Sequence, residues 1–289
     1  MKRTVKRPCV FLGDKMKKLY ISDLDGTLLS ENALLSNETE KELNILIEKG
    51  INFTVATART HATVEKMLQN VNISVPVVLM NGVAIFDLKT KKYVAVQSIN
   101  NNGKKVLFET IRKHINSGFV FCIDNDMMST YYENTDSPNA KKFIEEREKI
   151  YNKKFTKVNS FNDCMNNNVV YYSINDTKEK LEAAYNAVSA CADLHAEFYR
   201  DIYNTDHWYL EVCSSDTSKK NAVNTLRKLF GFDYVISFGD NLNDIPMFEA
   251  SDECYAVDNA KPEVKSKANG IIASNINNGV VKFIKVTNQ

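Results

Sequence analysis

The chain has 289 residues, of which 44% are hydrophobic and 25% charged, and its 37 basic and 36 acidic side chains give a formal net charge of +1. This composition is ordinary for a globular protein with a large core, and the balanced charge argues against a nucleic-acid partner, which needs a concentrated basic face. No apolar run is long enough for a membrane span or a signal peptide, and neither the cysteines nor the histidines show a zinc-ligand spacing. We therefore expect reduced thiols and a cytoplasmic protein with no membrane partner.

In the first third of the chain, short apolar strands alternate with amphipathic helices. Strands are predicted at residues 18–22, 51–56 and 76–80, and helices at residues 36–50 and 61–70. In the first helix Ser36 is the predicted N-cap and Gly50 the stop. This βαβαβ order predicts a parallel, doubly wound α/β sheet covered by helices.

The middle of the chain has a different pattern. Its strands are more polar and aromatic, and their alternation predicts an open sheet with one face wetted or facing a cleft. After about residue 205 the first pattern returns. We therefore predict a core made of residues 16–83 and 206–289, an inserted α/β domain at residues 84–205, and an N-terminal extension at residues 1–15.

Polar residues stand where four apolar strands of the predicted core end. They are Asp23 and Asp25, then Thr57, Ala58 and Arg59, then Asn81 and Gly82, and finally Gly239 and Asp240. Open α/β sheets bind their ligands outside the carboxyl ends of the strands. We therefore expect these four strand ends to form one site, although they are far apart in sequence.

The most specific of these stretches is DLDGTL, residues 23–28. Asp and Gly form turns, so DxDG alone would indicate only a turn. The six-residue pattern, however, should arise by chance at roughly one in a million start positions from average residue usage, and it directly follows a buried strand. A carboxylate pair at a strand end suits an oxygen-ligated cation such as Mg²⁺, and Asp240 supplies a third acid.

At these residues the sequence resembles the haloacid dehalogenase superfamily, and within it the Cof-like sugar-phosphatase branch. Residues 23–28 are similar to the first motif of that family, and Thr57 in VATAR is similar to the second. Lys219 in TSKKNAV is similar to the third motif, and GDNLND, residues 239–244, to the fourth. The resemblance covers nearly the whole chain from Met16. It implies a Rossmann-like core, with the inserted segment forming the α/β cap domain that this branch carries between motifs two and three.

The resemblance further implies a Mg²⁺-dependent phosphatase that works through an aspartyl-phosphate. Asp23 would be the nucleophile, and Asp25 would be the general acid for the leaving alcohol and then the general base for water. Lys219 would neutralise charge on the phosphoryl group. The metal would be bound by the carboxylates of Asp23 and Asp240 and by the backbone carbonyl of Asp25.

Phosphate-binding positions are also implied by the resemblance, together with a supporting residue. The phosphate-binding positions are Thr57, Ala58, Asn81, Gly82 and Asn243, and the supporting residue is Asp244, which would hold Lys219 or a metal-bound water. The family usually has glycine where this chain has Ala58. If the backbone there needs a positive φ, the alanine strains the loop.

Several of these positions have ordinary structural readings as well. Lys220 competes with Lys219 for the third motif, and an Asn-Gly pair such as residues 81–82 is most often a hairpin turn. Asp244 could simply favour a helix N-terminus by its charge. Arg59 could pair with a substrate phosphate or with a surface carboxylate.

The expected partner is a small phosphorylated metabolite, with sugar phosphates first and pyridoxal phosphate, flavin mononucleotide or other small phosphomonoesters close behind. The cap would close over the site and contact the leaving alcohol through residues in the segments 124–132 and 201–209. Trp208 there would either stack on a sugar or belong to the cap core. A phosphomutase and a non-catalytic sugar-phosphate sensor remain alternatives, and the chain is expected to be a monomer or a small homo-oligomer.

Overall fold

The computed structural model describes residues 16–30, 32–135, 138–151, 153–201 and 204–288, and the predicted N-terminal extension, residues 1–15, lies outside them. The strands are β1 (Lys18–Ser22), β2 (Asn52–Val55), β3 (Val77–Leu79), β4 (Ala84–Asp87), β5 (Lys92–Val96), β6 (Phe119–Asp124), β7 (Met127–Tyr132), β8 (Phe155–Lys157), β9 (Val169–Thr177), β10 (Leu194–Arg200), β11 (His207–Ser214), β12 (Tyr234–Gly239), β13 (Glu253–Val257) and β14 (Gly270–Ile272). The helices are α1 (Asn37–Glu48), α2 (His61–Met67), α3 (Asn101–Thr110), α4 (Pro138–Tyr151), α5 (Lys178–Ser189), α6 (Lys219–Phe230), α7 (Ile245–Glu249), α8 (Pro262–Lys265) and α9 (Gly279–Thr287).

A parallel sheet with strand order β14-β13-β12-β1-β2 forms the centre of the core. All its strand pairs are parallel, and a single parallel bridge between Ala56 and Val78 continues the sheet toward β3. The apolar runs read from the sequence are buried here because helices cover the sheet; Phe283 of α9, for example, packs its ring 5.5 Å from that of Phe238. Together with the inserted sheet, this confirms the predicted α/β fold class.

Helix α1 illustrates how local sequence sets these elements. The side chain of Ser36 accepts a hydrogen bond from the backbone N–H of Thr39 at 3.0 Å, as the N-cap prediction requires. Leu43 and Leu46 form its buried stripe. The helix ends at Glu48, and Gly50 beyond it has a φ of +91°, a conformation that glycine adopts without strain.

The inserted segment contains a six-stranded, mainly antiparallel sheet with strand order β10-β11-β9-β6-β7-β8. One face is apolar: Tyr172, Leu210 and Val212 are buried there in one cluster with Leu107 of α3 and Leu181 of α5. Residues that alternate with these in sequence carry polar groups and face a cavity on the other side. The prediction of a sheet with one face toward a cleft is therefore confirmed.

The strands at both ends of the predicted insertion belong to other sheets than the predicted limits, residues 84 and 205, would imply. Strands β4 and β5 pair antiparallel with β3 in a small three-stranded sheet, so the chain leaves the core side after β5. Strand β11 lies between β9 and β10 in the six-stranded sheet, because its backbone pairs with both over seven residue positions. The domain limits remain a prediction, and these pairings favour moving each limit toward the C-terminus.

Two simpler expectations can be compared with the described residues. The cysteines among them, Cys122, Cys164, Cys191, Cys213 and Cys254, are all free thiols, as predicted; Cys9 lies outside the described range. Within the same residues, no helix has both the length and the apolar character needed to cross a membrane.

Candidate active site

The carboxyl ends of the parallel strands bring the predicted residues together at one edge of the sheet. Asp23 directly follows β1, and its backbone N–H donates to the carbonyl oxygen of Phe238 in β12 at 2.9 Å. Asp240 directly follows β12, and Thr57 follows β2 with its backbone N–H bonded to Val78. The backbone pairing of the strands is therefore enough to position these three residues at the same edge.

Lys219, the first residue of α6, connects two acids in the interior. Its Nζ lies 2.6 Å from Oδ1 of Asp23 and 2.7 Å from Oδ1 of Asp244. The Lys219 and Asp244 side chains have no exposed surface, and that of Asp23 is 8% exposed. The neighbouring Lys220 is half exposed and pairs with Glu249 on the surface. Of the two lysines, only Lys219 is part of this site.

The electrostatics of this buried cluster of Asp23, Lys219 and Asp244 are set by desolvation and by the charges within it. Burial raises the pKa of Asp23 well above its ordinary value, while Lys219 opposes that shift. Burial alone would lower the pKa of Lys219, but Asp23 and Asp244 hold it above its ordinary value. The lysine is therefore a permanent cation at physiological pH.

Both carboxylate oxygens of Asp244 are hydrogen-bonded within the protein. Its Oδ1 contacts Lys219, and its Oδ2 accepts the backbone N–H groups of Asp240 and Asn241 at 2.9 and 3.0 Å. Gly239 permits this approach, since a Cβ at that position would lie 2.5 Å from the Cβ of Asp244. Asp244 is thus placed to orient Lys219 and the loop after β12.

The acids at this edge form a group suited to a cation. One carboxylate oxygen from each of Asp23, Asp240 and Asp244 lies within 4.8 Å of the others. Burial, with Asp244 nearby, raises the pKa of Asp240 to about 6, although the hydrogen bond from Thr27 and the charge of Lys219 oppose the shift. A cation bound here would favour the ionised carboxylate. Thr27 donates to Oδ1 of Asp240 at 2.7 Å, and a Cβ on Gly26 would meet its Oδ2 at 2.5 Å. The glycine of DLDGTL is therefore required by close packing against this acid.

Asp25 lies outside that group, because its side chain is turned toward Arg59. The guanidinium donates to both carboxylate oxygens, Nε to Oδ2 at 2.7 Å and Nη2 to Oδ1 at 2.6 Å. The Asp25 side chain is 47% exposed. Arg59 was expected to pair either with a substrate phosphate or with a surface carboxylate. In the structure it pairs with a carboxylate, that of Asp25 in the DLDGTL motif.

The remaining predicted positions line the same edge. Thr57 is buried, with its Oγ1 accepting the backbone N–H of Arg59 at 3.2 Å. Ala58 is exposed and is not among the residues with positive φ, so alanine in place of the usual glycine does not strain the backbone here. Asn243 donates from Nδ2 to Oδ1 of Asn81 at 3.2 Å, which joins two strand ends.

The Asn81–Gly82 pair serves as a hairpin turn and as part of the site. It connects the antiparallel strands β3 and β4, with φ values of +55° and +108°. A Cβ on Gly82 would lie 2.3 Å from the carbonyl oxygen of Ser218, the residue before Lys219. The turn therefore packs directly against the start of α6.

A cavity of about 410 Å³ lies between this edge and the polar face of the six-stranded sheet. Its core-side lining includes Asp25, Ala58, Arg59 and Thr63, and its cap-side lining includes Arg147, Lys153, Tyr171, Ser173, Tyr199, Arg200, Asp201, Tyr209 and Glu211. A second cavity of about 130 Å³ is bounded by Asn81, Lys219 and Asn243 on one side and by Tyr171 and Glu211 on the other. The inserted sheet thus faces the strand ends.

The sequence segments suggested for the cap side of the cleft are only partly represented there. Asp201 and Tyr209 line the larger cavity, whereas residues 124–132 line neither of these two cavities. Trp208 packs against Phe198 with ring centroids 4.8 Å apart, within the cluster on the opposite face of the sheet. Lys153 and Glu211 were not anticipated, although the alternation of Glu211 with Leu210 and Val212 could have indicated a residue on the polar face.

Comparison with known proteins agrees with this geometry. The family model for haloacid dehalogenase-like hydrolases matches residues 20–284. The chain belongs to the haloacid dehalogenase-like hydrolase family. The resemblance seen in the four motifs is therefore confirmed over nearly the whole sequence.

Curated relatives and a solved structure align with most of the chain. Phosphatase YwpJ of Bacillus subtilis is 27% identical over 93% of this chain and 99% of its own length. The 5-amino-6-(5-phospho-D-ribitylamino)uracil phosphatase YcsE of the same organism is 24% identical over 93% and 94%. A Thermotoga maritima crystal structure superimposes with a TM-score of 0.76 at 20% identity, covering 94% of this chain and 97% of that one. The chain is accordingly an enzyme, a hydrolase of the phosphatase type.

Proposed function

We propose that this haloacid dehalogenase-like hydrolase is a Mg²⁺-dependent phosphatase that hydrolyses small phosphomonoesters through an aspartyl-phosphate on Asp23. The observation that carries the proposal is the buried contact of Lys219 with Asp23, 2.6 Å long, beside Asp240 and at the smaller cavity that Lys219 lines. A carboxylate fixed in this way by a permanent cation is oriented for attack.

In the first step, an oxygen of Asp23 forms a bond to phosphorus and the bond from phosphorus to the leaving alcohol breaks. Asp25 gives a proton to that alcohol oxygen. In the second step, water attacks the phosphorus of the aspartyl-phosphate, Asp25 takes one proton from the water, and the bond to Asp23 breaks to release phosphate. Lys219 balances the negative charge that accumulates on the phosphoryl oxygens.

Both oxygens of Asp25 accept hydrogen bonds from Arg59 in this conformation. The same two oxygens are the atoms that would exchange a proton with the alcohol and with water, so the guanidinium competes with that transfer. A phosphoryl group that enters beside Arg59 offers the guanidinium an alternative anionic partner, so substrate binding would rearrange the Asp25–Arg59 pair and free Asp25 for proton transfer.

The donor set fits Mg²⁺. It would be held by Asp23 and Asp240, each of which has one carboxylate oxygen hydrogen-bonded within the described residues and the other open to a cation, and by the backbone carbonyl of Asp25. Asp244 contributes less directly, because its oxygens are already engaged by Lys219 and two backbone amides. Mg²⁺ supplies positive charge next to the phosphoryl oxygens.

For the alcohol part of the substrate, we propose a sugar or another polyhydroxylated compound. The cap side of the cleft presents Tyr171, Ser173, Tyr209 and Glu211, which offer hydroxyl and carboxylate groups to a substrate rich in hydroxyls. The relative YcsE, by its name, acts on a phosphorylated ribityl compound. A polar cleft wall of this kind suits such an alcohol better than it suits an apolar one.

The test measures phosphate release from p-nitrophenyl phosphate and from a panel of sugar phosphates, with and without Mg²⁺. We expect activity that chelation with EDTA removes and added Mg²⁺ restores, and an Asp23→Asn variant that is slower by at least about 1,000-fold. Equal rates for this variant and the native enzyme would contradict the nucleophile assignment. Interconversion of isomeric sugar phosphates without phosphate release would instead identify a phosphomutase.

A further inference from the structure

Lys153 is a cation in the cleft that has no acidic partner among the described residues. It follows α4 in the inserted domain, and its Nζ donates to Oγ1 of Thr60 in the core at 2.8 Å. Thr60 is a neutral partner, so the hydrogen bond leaves the charge uncompensated. The adjacent Lys154 is exposed to solvent and does not line the cavity.

The surroundings of Lys153 oppose its charge. Burial lowers its pKa to about 8, and the guanidinium of Arg147 adds to the effect. A cation in such a position is unfavourable in the empty enzyme. The same position is favourable when an anion enters, because a largely buried cation is less screened by water and attracts the anion more strongly.

The acids that line the same cavity are engaged elsewhere. Asp25 is held by Arg59, and Asp201 accepts the side-chain amide of Asn175 at 3.1 Å. Glu211 accepts hydrogen bonds from Tyr199 at 3.0 Å and from Ser173 at 3.5 Å. An anion that enters the cleft therefore meets Lys153 without displacing an acid from it.

The cations of this wall are close to the proposed reaction site. Lys153 and Arg147 line the same cavity as Asp25 and Ala58, which stand at the strand ends. Arg147 also lies over the ring of Phe143, with its guanidinium carbon 5.2 Å from the ring centroid. A molecule with its phosphoryl group beside Asp23 would extend its alcohol portion through this cavity toward Lys153.

We propose that Lys153, with Arg147 beside it, forms a second anion subsite, and that the preferred substrate is a phosphomonoester whose alcohol carries another anionic group, a phosphate or a carboxylate. This inference rests on the proposed function, because it places the hydrolysed phosphoryl group at Asp23. The alternative is that Lys153 only connects the cap to the core through its hydrogen bond with Thr60. Loss of such a connection would affect every substrate alike.

The experiment compares three hexose compounds that share a 6-phosphate: glucose 6-phosphate, 6-phosphogluconate and glucose 1,6-bisphosphate. In the native enzyme we expect kcat/KM to be at least about tenfold higher for one or both compounds with the second anion, as a charge-assisted hydrogen bond provides. In Lys153→Met this preference should fall by about tenfold, mainly through KM. The control Lys154→Met should keep the native preference. The 6-phosphogluconate and bisphosphate arms then distinguish a carboxylate from a second phosphate.

Binding to the inactive Asp23→Asn protein separates the inference from the proposed function. Calorimetry should give tighter binding of the compound with the favoured second anion than of glucose 6-phosphate, and Lys153→Met in the same background should remove the difference. If the native enzyme hydrolyses all three compounds in an Asp23-dependent way without preference, or if Lys153→Met lowers kcat/KM equally for all three, the second anion subsite is wrong and the phosphatase proposal stands. If Asp23→Asn retains full activity, the proposed function fails first.

Discussion

Two lysines of the molecule differ in how their charge is compensated. Lys219 is buried between Asp23 and Asp244, whereas Lys153 in the cleft has no acid beside it among the described residues. In the cluster, the cation meets two carboxylates at 2.6 and 2.7 Å with almost no exposed surface. In the cleft, Lys153 meets a hydroxyl and faces a cavity of about 410 Å³. In the first arrangement the lysine is paired with acids before any substrate binds, and in the second it is not.

This difference separates the parts of the enzyme that must be rigid from those that must respond to the substrate. A phosphoryl-transfer site gains from charges that are already aligned, because no reorganisation is then needed during the reaction. A recognition site gains from a charge that only the correct ligand compensates, because the difference in binding free energy between the correct ligand and a neutral one is then largest. Four predictions test the two halves of this comparison.

The largest effect is expected for Lys219→Met. The variant leaves the carboxylates of Asp23 and Asp244 buried without their cation, so we expect a loss of about 3–5 kcal/mol in the free energy of unfolding and a fall in kcat of at least about 100-fold. Denaturant unfolding and phosphate release measure the two effects. Lys220→Met is the matched control, because that lysine forms only a half-exposed pair with Glu249. Similar losses in both variants would show that the cluster has no special role.

A somewhat smaller effect is expected for Asp240→Asn, which tests the metal assignment. The variant keeps the shape of the side chain and removes its charge, so the Mg²⁺ concentration for half-maximal activity should rise by about tenfold or more. Asp258→Asn serves as the control, since that side chain is 73% exposed and pairs loosely with Lys265. An unchanged Mg²⁺ dependence in Asp240→Asn would remove this residue from the metal site.

Gly82→Ala tests whether the turn after β3 holds the start of α6 in place. The new Cβ would lie 2.3 Å from the backbone oxygen of Ser218, so Ser218 and Lys219 must shift. We expect a loss of about 1–3 kcal/mol in unfolding free energy together with a lower kcat. Gly50→Ala is the control, because Gly50 also has positive φ but a Cβ added there would meet nothing within 4 Å. Equal losses would attribute the effect to backbone strain alone.

The smallest effect concerns pH and the cleft. Since the pKa of Lys153 is about 8 in the free enzyme, its charge is present at pH 7 and largely lost at pH 9. The preference for substrates with a second anion should therefore decline by a few-fold over that range, because the neutral amine no longer attracts the anion. The ratio of kcat/KM values for the two substrate types measures this.

Other charged groups in the cleft have to be considered in that measurement. Those lining the same cavity as Lys153 are Arg59, Arg147, Arg200, Asp25, Asp201 and Glu211. The arginines stay charged throughout, and Tyr171, Tyr199 and Tyr209 stay neutral because burial raises the pKa of each. In Lys153→Met the ratio should not change with pH. A decline that persists in this variant would assign the titration to another group.

The fold and the strand-end residues were readable from the sequence because both depend on local patterns. An apolar run followed by Asp23 or by Asp240 specifies a strand and its end without knowledge of the partner strands. The same holds for Ser36, whose capping role depends on residues within one turn. The convergence of these ends then follows from the geometry of any parallel α/β sheet.

The remaining features depend on contacts between residues far apart in the chain. Lys153 and Lys154 are indistinguishable as sequence, and only the approach of the inserted domain to Thr60 separates them. Strand β11 resembles the core strands in composition, and its place in the six-stranded sheet is decided by pairing with β9 and β10. The Asp25–Arg59 contact likewise depends on the spacing of β1 and β2.

The position of β11 has a mechanical consequence. Residues 215–218 are the whole connection between the six-stranded sheet and Lys219, and the other crossing of the chain runs beside it, with Gln97 3.5 Å from Ser214. Any movement of the six-stranded sheet relative to the core must bend these two connections, and one of them ends at Lys219, which contacts Asp23, the proposed nucleophile. Residues 215–218 therefore join the inserted domain, whose movement would admit a substrate, to the lysine that orients the proposed nucleophile.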